Sequence, residues 1–343
     1  MRSTSLVLAA LALVSAGFMS YGIGGRSTSP CHSSVLLPLD PKTAAESAAR
    51  AVRSNPLSAE AHQELGSAYL SMYDRSEVAE QEFRELVRLD PSSSAGYTGL
   101  GWSYLDLNSA AKSIRVNRHN SDSDVEHYRM ALNWFDRALG LDPDDAGAHL
   151  GRAKAYALLG LNEDAEAACR AALASCPDSD QAWDLLGDVL VELRQYDKAI
   201  DAYEAEIEIC TNGKTLESLS PLNNIGRIDS AIFLYEIVGD ILFTLHRTGE
   251  AIAHYEKGLA ISEEPSAFHH RLALAYYQVG EYARYESHLE ALRAGCSSTG
   301  DIASWCHMYE DLVARLARYR SNSDTLFRVT NLDPAPWLKS EIN

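Results

Sequence analysis

The six cysteines are the most reactive side chains in the sequence, and their spacing limits their chemistry. No two of them form a Cys-x-x-Cys pair, so we expect neither structural zinc nor thiol-redox activity. Cys169 and Cys176 lie on one predicted helix, roughly 10 Å apart along its axis, which is too far for a disulfide. Cys296 and Cys306 flank a predicted turn between helices and form the best-placed disulfide pair. Buried free thiols are the alternative.

Histidine, serine and glycine patterns give no catalytic or metal-binding motif. No two histidines stand four residues apart around a glutamate, as a helical zinc site requires. The segment GLGWS at 99–103 has the glycines of a phosphate loop, but it lies inside a predicted helix and would pack there. No serine stands in a nucleophile elbow between a strand and a helix. We therefore expect a chain that is not an enzyme and has no cofactor or metal.

Prolines mark a repeat that runs through most of the chain. The spacing from Pro143 to Pro177 is 34 residues (177 − 143), and Pro56 to Pro91 spans a similar length. The spacing from Pro91 to Pro143 is longer, because an insertion lies near residues 109–126. A second insertion lies near 211–228. Both are rich in Ser and Asn, which predicts that both are mostly loops.

Each copy of the repeat contains a helix with a small residue at a fixed place. In residues 181–210, Trp183, Leu186, Gly187 and Leu190 follow the spacing i, i+3, i+4, i+7 and share one helical stripe. A glycine in such a stripe lets a partner helix approach closely. A single hairpin cannot bury both of its faces, whereas stacked hairpins can. The pattern therefore predicts a stack of helical hairpins. The histidines His62, His149 and His269 fall where other copies have an aromatic residue, so we expect them to pack in the core.

This pattern resembles the tetratricopeptide repeat (TPR) family, whose motif is a 34-residue helix-turn-helix. The resemblance covers about residues 41–296 and implies an all-α fold, a right-handed superhelical solenoid. It predicts a half-repeat at 43–56 followed by about six full repeats. An amphipathic stretch at 297–320 would cap the array. Residues 25–40 would be a linker and 321–343 a tail.

Proteins of this family usually bind a peptide or a helix in a concave groove lined by the first helix of each repeat. The resemblance carries the groove positions onto residues of this chain, and an acidic half of the groove would favour a basic or amine-bearing segment. The alternative is an ordinary solvated face. The chaperone-tail clamp of this family needs several basic groove residues, and Lys154 alone is basic here. The implied groove residues are Gln63, Ser67, Leu70, Thr98, Trp102, Leu105, Leu150, Lys154, Ala157, Asp184, Asp188, Val191, Glu192, Glu236, Asp240, Phe243, His270, Leu274 and Tyr277. Trp102 would be the apolar anchor, and Asp184, Asp188, Glu192, Glu236 and Asp240 the acidic half.

The first 25 residues have the features of an export signal. Arg2 gives a positive start, residues 6–14 are uninterrupted apolar, and Ala16 offers a small residue before a cleavage site at Gly17. An uncleaved anchor is the alternative, because residues 6–23 approach the length that spans a bilayer. Either outcome places the chain on the periplasmic or extracellular side. The formal charge of −18 argues against nucleic-acid binding, which needs clustered cations.

These features predict a protein-interaction scaffold that assists assembly of an extracytoplasmic complex. Two other functions stay open. The chain could be an accessory subunit of an envelope enzyme whose catalysis resides in another chain. It could also be a cytosolic co-chaperone-like adaptor, which the N-terminus and the missing clamp residues oppose.

Overall fold

The fold is all-α, as predicted. A computed structural model describes residues 41–72, 75–106, 122–212, 221–263 and 265–298, and within these ranges the chain forms thirteen helices and no strand. Short turns join most of the helices into hairpins. The helices are α1 (Pro41–Ser54), α2 (Ala59–Leu70), α3 (Ser76–Leu89), α4 (Ser94–Asp106), α5 (Asp122–Leu141), α6 (Ala146–Leu158), α7 (Asn162–Ser175), α8 (Asp180–Glu192), α9 (Tyr196–Thr211), α10 (Pro221–Thr244), α11 (Thr248–Ile261), α12 (Ser266–Gln278) and α13 (Tyr282–Ser298).

The helices belong to two compact units, one ending at Glu206 within α9 and the other beginning at Ile207. In unit 1, consecutive helices from α1 to α8 pack on one another, and α2, α4, α6 and α8 also contact each other in that order. In unit 2, α10 to α13 pack consecutively. In unit 1 the first helices of successive hairpins therefore form one continuous layer, and this layer carries the predicted groove positions from Gln63 to Glu192.

Two fully buried phenylalanines join neighbouring hairpins in unit 1. The ring of Phe83 on α3 lies between Gly66 on α2 and Gly99 on α4, where an added Cβ would come within 2.9 Å and 2.4 Å of ring carbons. Phe135 on α5 lies in the same way between Gly101 on α4 and Gly151 on α6. The glycines are required because the ring occupies the space that a side chain would need.

The turns inside four hairpins place one residue in the left-handed backbone region. This residue is Gly160 in the α6–α7 turn and Gly280 in the α12–α13 turn, with φ of 75° and 82°. The α8–α9 and α10–α11 turns use Arg194 and His246 instead, with φ of 58° and 61°. In all four turns the next residue's amide donates to a carbonyl five residues back, as in a Schellman cap. Two turns therefore hold a side chain where glycine is the unstrained choice.

A ring near the start of four first helices donates a hydrogen bond to the proline carbonyl six residues earlier. The donor is Nε2 of His62 (3.2 Å to Pro56), the hydroxyl of Tyr97 (3.4 Å to Pro91), Nε2 of His149 (2.9 Å to Pro143) and Nε1 of Trp183 (2.8 Å to Pro177). The prediction that these histidines serve only as core packing was therefore incomplete. Each ring fixes the loop that leads into its own hairpin.

The second insertion differs from its predicted loop structure. Residues 221–228 form the first two turns of α10, which extends over 24 residues. Pro221 stands at the first helical position, where its missing N–H leaves no bond unmade, and this favours a helix start. Residues 122–126 of the first insertion are likewise the start of α5. The predicted capping helix at 297–320 lies almost wholly outside the described residues.

Candidate binding surface

The predicted groove residues all lie on the first helices of the hairpins, but their exposure differs. About half are buried and cannot be reached by a partner without rearrangement. The buried ones are Ser67, Leu70, Thr98, Trp102, Leu105, Ala157, Val191, Asp240, Phe243 and Leu274. The half-buried ones are Gln63, Leu150, Lys154, Asp184, Asp188, Glu192, Glu236, His270 and Tyr277.

Trp102 belongs to the core of unit 1, which corrects its expected role as an open anchor. Its side chain is only 4% exposed, and its ring packs edge-on against Phe135 with 5.8 Å between centroids. It lies in one apolar cluster with Leu105 and Tyr128. The spacing of the repeat puts residue 102 on the first helix, but the burial depends on how closely α5 and α6 approach it. Trp102 therefore contributes to stability.

Lys154 on α6 provides a half-buried cation beside this core. Its Nζ lies 5.7 Å from the centre of the Trp102 ring, within the range of a cation–π contact. A lysine can bury its aliphatic stem while the ammonium group stays near water. Lys154 thus covers one edge of Trp102 and places a positive charge in the layer of first helices.

A row of carboxylates follows one side of α8. Asp184, Asp188 and Glu192 are four residues apart, so they lie above one another, and all three are half-buried. The Oδ1 atom of Asp188 accepts a hydrogen bond of 2.8 Å from the hydroxyl of Tyr203 on α9. Like charges at this spacing weaken an isolated helix by a few tenths of a kcal/mol per pair. The row therefore creates a negative strip on the first-helix layer of unit 1.

The same carboxylates influence a buried thiol on the preceding hairpin. Burial, together with the negative charges of Asp188, Glu166 and Asp184, raises the pKa of Cys169 to about 12. A thiol in this environment stays protonated and unreactive. Cys169, Cys176 and Cys210 are buried. The side chain of Cys296 and the whole of Cys306 lie outside the described residues, so the predicted disulfide stays a prediction.

Unit 2 contains a buried polar network at the corresponding place. Asp240 on α10 is 3% exposed and accepts a 2.7 Å hydrogen bond from the hydroxyl of Tyr255 on α11. Arg271 on α12 donates to both oxygens of Asp240, at 2.8 and 3.2 Å. A third distance of 3.3 Å joins Arg271 Nη2 to Oε2 of Glu236. Three helices thus meet at the carboxylate of Asp240.

This network corrects the prediction that Glu236 and Asp240 add negative charge to an open groove. Burial tends to lower the pKa of Arg271, but the carboxylates of Asp240 and Glu236 outweigh it, and the guanidinium stays charged. Burial raises the pKa of Glu236, an effect that Asp240 increases and Arg271 opposes. The pKa of Tyr255 is raised because the hydroxyl is buried and lies beside Asp240. Arg271 therefore neutralises Asp240 inside the unit, and no spacing rule in the sequence linked these residues.

Two further groove residues lie on α12. Burial and the neighbouring charge of Arg271 together lower the pKa of His270 to about 4, so the imidazole is neutral at physiological pH. The Tyr277 ring contacts Tyr282 and Tyr285 edge-on, with centroid distances of 5.7 and 5.4 Å. The surface of unit 2 at these positions is therefore aromatic and uncharged.

Within the described ranges, no three His, Cys, Asp or Glu side chains are grouped closely enough to hold a metal ion. Among the same residues, no helix has the length and apolar character needed to cross a membrane. The apolar N-terminal segment lies outside them.

Comparison with protein families decides the assignment. Two models of the tetratricopeptide repeat match the chain, one over residues 120–180 and one over 180–212. The chain is a TPR protein. The matched residues cover α5 to α9, so the hairpins α6–α7 and α8–α9 are two TPR units and α5 is the second helix of a third. Comparison with curated proteins gave no match.

Three solved structures are similar to this chain. The structure from a functional characterisation of Pseudomonas aeruginosa pilF aligns over 75% of this chain and 97% of its own, with a TM-score of 0.50 and 14% identity. The thermophilic TPR protein TTC0263 of Thermus thermophilus aligns over 60% and 97%, with a TM-score of 0.45 and 26% identity. YrrB, described as a TPR protein with an unusual peptide-binding site, aligns over 64% and 95%, with a TM-score of 0.41 and 18% identity.

The TPR fold builds protein-interaction scaffolds, and its members are typically non-catalytic. The first helices of the two units carry different surfaces. The first-helix layer of unit 1 carries the strip of Asp184, Asp188 and Glu192, and the first helices of unit 2 carry His270 and Tyr277 together with a neutralised network. The sequence identified these positions. It missed the pairing of Arg271, because this residue stands one place beyond the groove position.

Proposed function

We propose that this TPR protein is a non-catalytic scaffold that binds a basic helix or extended peptide along the first-helix layer of unit 1. The observation that carries the proposal is the strip formed by Asp184, Asp188 and Glu192. These carboxylates lie at the repeat positions that line the binding groove of TPR proteins. A lysine- or arginine-bearing segment would relieve the repulsion along α8.

Unit 2 supports a different contribution. Because Arg271 neutralises Asp240 internally, this surface offers little attraction for a cation. The half-buried Tyr277 and the exposed Tyr282 instead offer aromatic area, which proteins use for apolar anchors. The proposed partner segment therefore carries its basic residues where it meets α8.

We also propose that the protein works on the periplasmic or extracellular side, cleaved or anchored at its N-terminus, where it assists assembly of a larger complex. This part rests on the N-terminal sequence, with Arg2 followed by an apolar run at 6–14 and a small residue at Ala16. Determination of the mature N-terminus in the native host tests it. A chain that begins at Met1 and fractionates with the cytoplasm would contradict it.

The groove is tested with the triple variant Asp184→Asn, Asp188→Asn and Glu192→Gln in the full-length protein. A fluorescent amphipathic peptide rich in lysine and leucine serves as the probe, and anisotropy gives its Kd over a range of salt concentrations. We expect affinity to fall at least about tenfold at low salt, with a shallower dependence on salt concentration. Asparagine keeps an acceptor for Tyr203, so the helix content should change little.

The matched control changes the same number of charges on the second helix of the same repeat, at Asp201, Glu204 and Glu208 on α9. This control should bind the peptide with nearly wild-type affinity. Equal losses in both variants would show that only the net charge matters, and the groove proposal would be wrong. Affinity capture from the envelope fraction then separates two roles, since a scaffold recovers structural subunits and an accessory subunit recovers an active enzyme.

A further inference from the structure

The last described hairpin, α12–α13, holds its ring residue in a different way from the hairpins of unit 1. In unit 1 the ring at this repeat position donates to the proline carbonyl six residues earlier. In α12 the proline is Pro265, directly before the helix, and stands only four residues before His269. The His269 ring turns to α13 instead, where its Nδ1 lies 2.9 Å from Nδ1 of His288.

The two imidazoles form the centre of a small ring cluster. Their centroids are 5.2 Å apart, and the Tyr276 ring stacks on His288 with 5.5 Å between centroids and 7° between planes. The direct contact between two Nδ1 atoms needs one donor and one acceptor, so at least one ring must be neutral. With a proton on every nitrogen, two N–H groups would point at each other across 2.9 Å.

The charged groups around the pair come from each helix packed against it. Glu256 on α11 accepts from the Tyr276 hydroxyl, and Arg284 on α13 donates to that hydroxyl at 3.0 Å. On α12, His270 is next in sequence to His269, and beyond it Arg271 is engaged by Asp240 and Glu236 of α10. Two fixed cations, Arg271 and Arg284, therefore lie near the pair, and the carboxylate of Glu256 is bound to Tyr276.

We propose that the α12–α13 hairpin is an acid-sensitive latch, closed while His269, His270 and His288 are uncharged and opened when they become protonated. Opening would withdraw His270 and Tyr277 from the first-helix layer. This inference concerns the folding of unit 2 alone and stands whether or not unit 1 binds a basic partner.

The direction of the pH effect follows from the environment of the three rings. Burial lowers the pKa of His269. Burial and the charges of His269 and Arg284 lower the pKa of His288, and they outweigh the opposing effect of Glu256. Burial and Arg271 lower the pKa of His270 to about 4. The opened hairpin therefore binds more protons than the closed one below about pH 6.5, so the latch loses stability as the pH falls from neutral.

Hydrogen exchange measured by mass spectrometry on the full-length protein tests the latch. Protection factors are compared at about pH 7.5 and about pH 5.5, each corrected for intrinsic exchange, with EDTA present so that no metal bridges the imidazoles. Over this pH range, protonation of the His269–His288 pair and protonation of His270 should each lower the protection factor by up to about tenfold. The protection of α12 and α13 should therefore fall about a hundredfold. The α8–α9 hairpin contains no histidine and should keep its protection.

Two variants separate the contributions. His269→Gln with His288→Gln should reduce the loss to about tenfold, and His246→Asn, at an exposed turn position, should leave it unchanged. Loss of less than about threefold in the wild type, or the full wild-type loss in the double variant, would overturn the proposal. If the double variant lacks protection even at about pH 7.5, the wild-type imidazole titrations by NMR decide, and pKa values of about 6.5 or above for both rings of the pair would overturn it.

Discussion

The joint at Phe135 in unit 1 and the joint at Tyr255 in unit 2 are built from different kinds of side chain. In unit 1, Phe83 and Phe135 fill an apolar slot between two glycines on successive first helices. In unit 2 the ring at the corresponding place is Tyr255, which packs on Gly239 but carries a hydroxyl that must be satisfied. Asp240 accepts the hydrogen bond from that hydroxyl, and Arg271 donates to Asp240 in turn. The apolar joint at Phe135 depends on the fit of the ring between glycines. The polar joint at Tyr255 depends on a complete set of charges and hydrogen-bond donors.

The apolar joint should be the most sensitive to loss of volume. Phe135→Ala removes a ring that touches two helices and leaves a cavity, so we expect about 3–5 kcal/mol loss in the free energy of unfolding of unit 1. Native-state hydrogen exchange of α4 to α6 measures the effect locally. A uniform loss across unit 2 as well would show that the two units unfold together.

The polar joint should be the most sensitive to loss of one charge. Arg271→Met leaves Asp240 and Glu236 buried without their cation, and we expect about 3 kcal/mol loss of stability in unit 2. This lies at the lower end of the range for buried pairs because 18% of the Arg271 side chain is exposed. Arg284→Met, at an exposed ion pair, is the matched control and should have a much smaller effect on the same denaturation curve. Similar losses in both variants would mean that the network has no special role.

Removal of a single hydroxyl compares the joints more finely. Tyr255→Phe deprives the buried Asp240 of one donor and should cost about 1–2 kcal/mol. Tyr203→Phe removes the equivalent bond to the half-buried Asp188, where water can replace it, and should cost about half as much. Denaturation curves of the two variants, followed by hydrogen exchange in each unit, give the ratio. A larger loss for Tyr203→Phe would contradict this account.

The smallest expected effect is a gain in stability. Arg194→Gly and His246→Gly relieve a left-handed backbone position in one turn of each unit, and each should stabilise its hairpin by up to about 1 kcal/mol. The gain is limited because glycine also increases the freedom of the unfolded chain. Gly160→Ala is the reverse test and should destabilise its turn by a similar amount. Loss of stability in both glycine variants would show that Arg194 and His246 make contacts worth more than the strain.

The sequence was sufficient for the fold because the pattern depends on local spacing. Trp183 and Gly187 are spaced so that they share one face of a helix, and this spacing can be recognised in the sequence before the partner helix is known. The site was harder to predict. Whether Trp102 faces solvent depends on how α5 and α6 pack beside it. Whether the carboxylate of Asp240 is exposed or is buried in an ion pair depends on Arg271, which is 31 residues away. One missed feature had a visible signal, since each ring that donates to a proline carbonyl stands six residues after that proline.

That ring-to-proline bond also defines where one structural module ends and the next begins. Trp183 is tied to Pro177, which precedes α8, so the loop belongs physically to the hairpin that follows it. A cassette excised for transplantation should therefore start at the proline and stop before the next one. Cut in this way, each cassette would keep the bond that fixes its own entry loop.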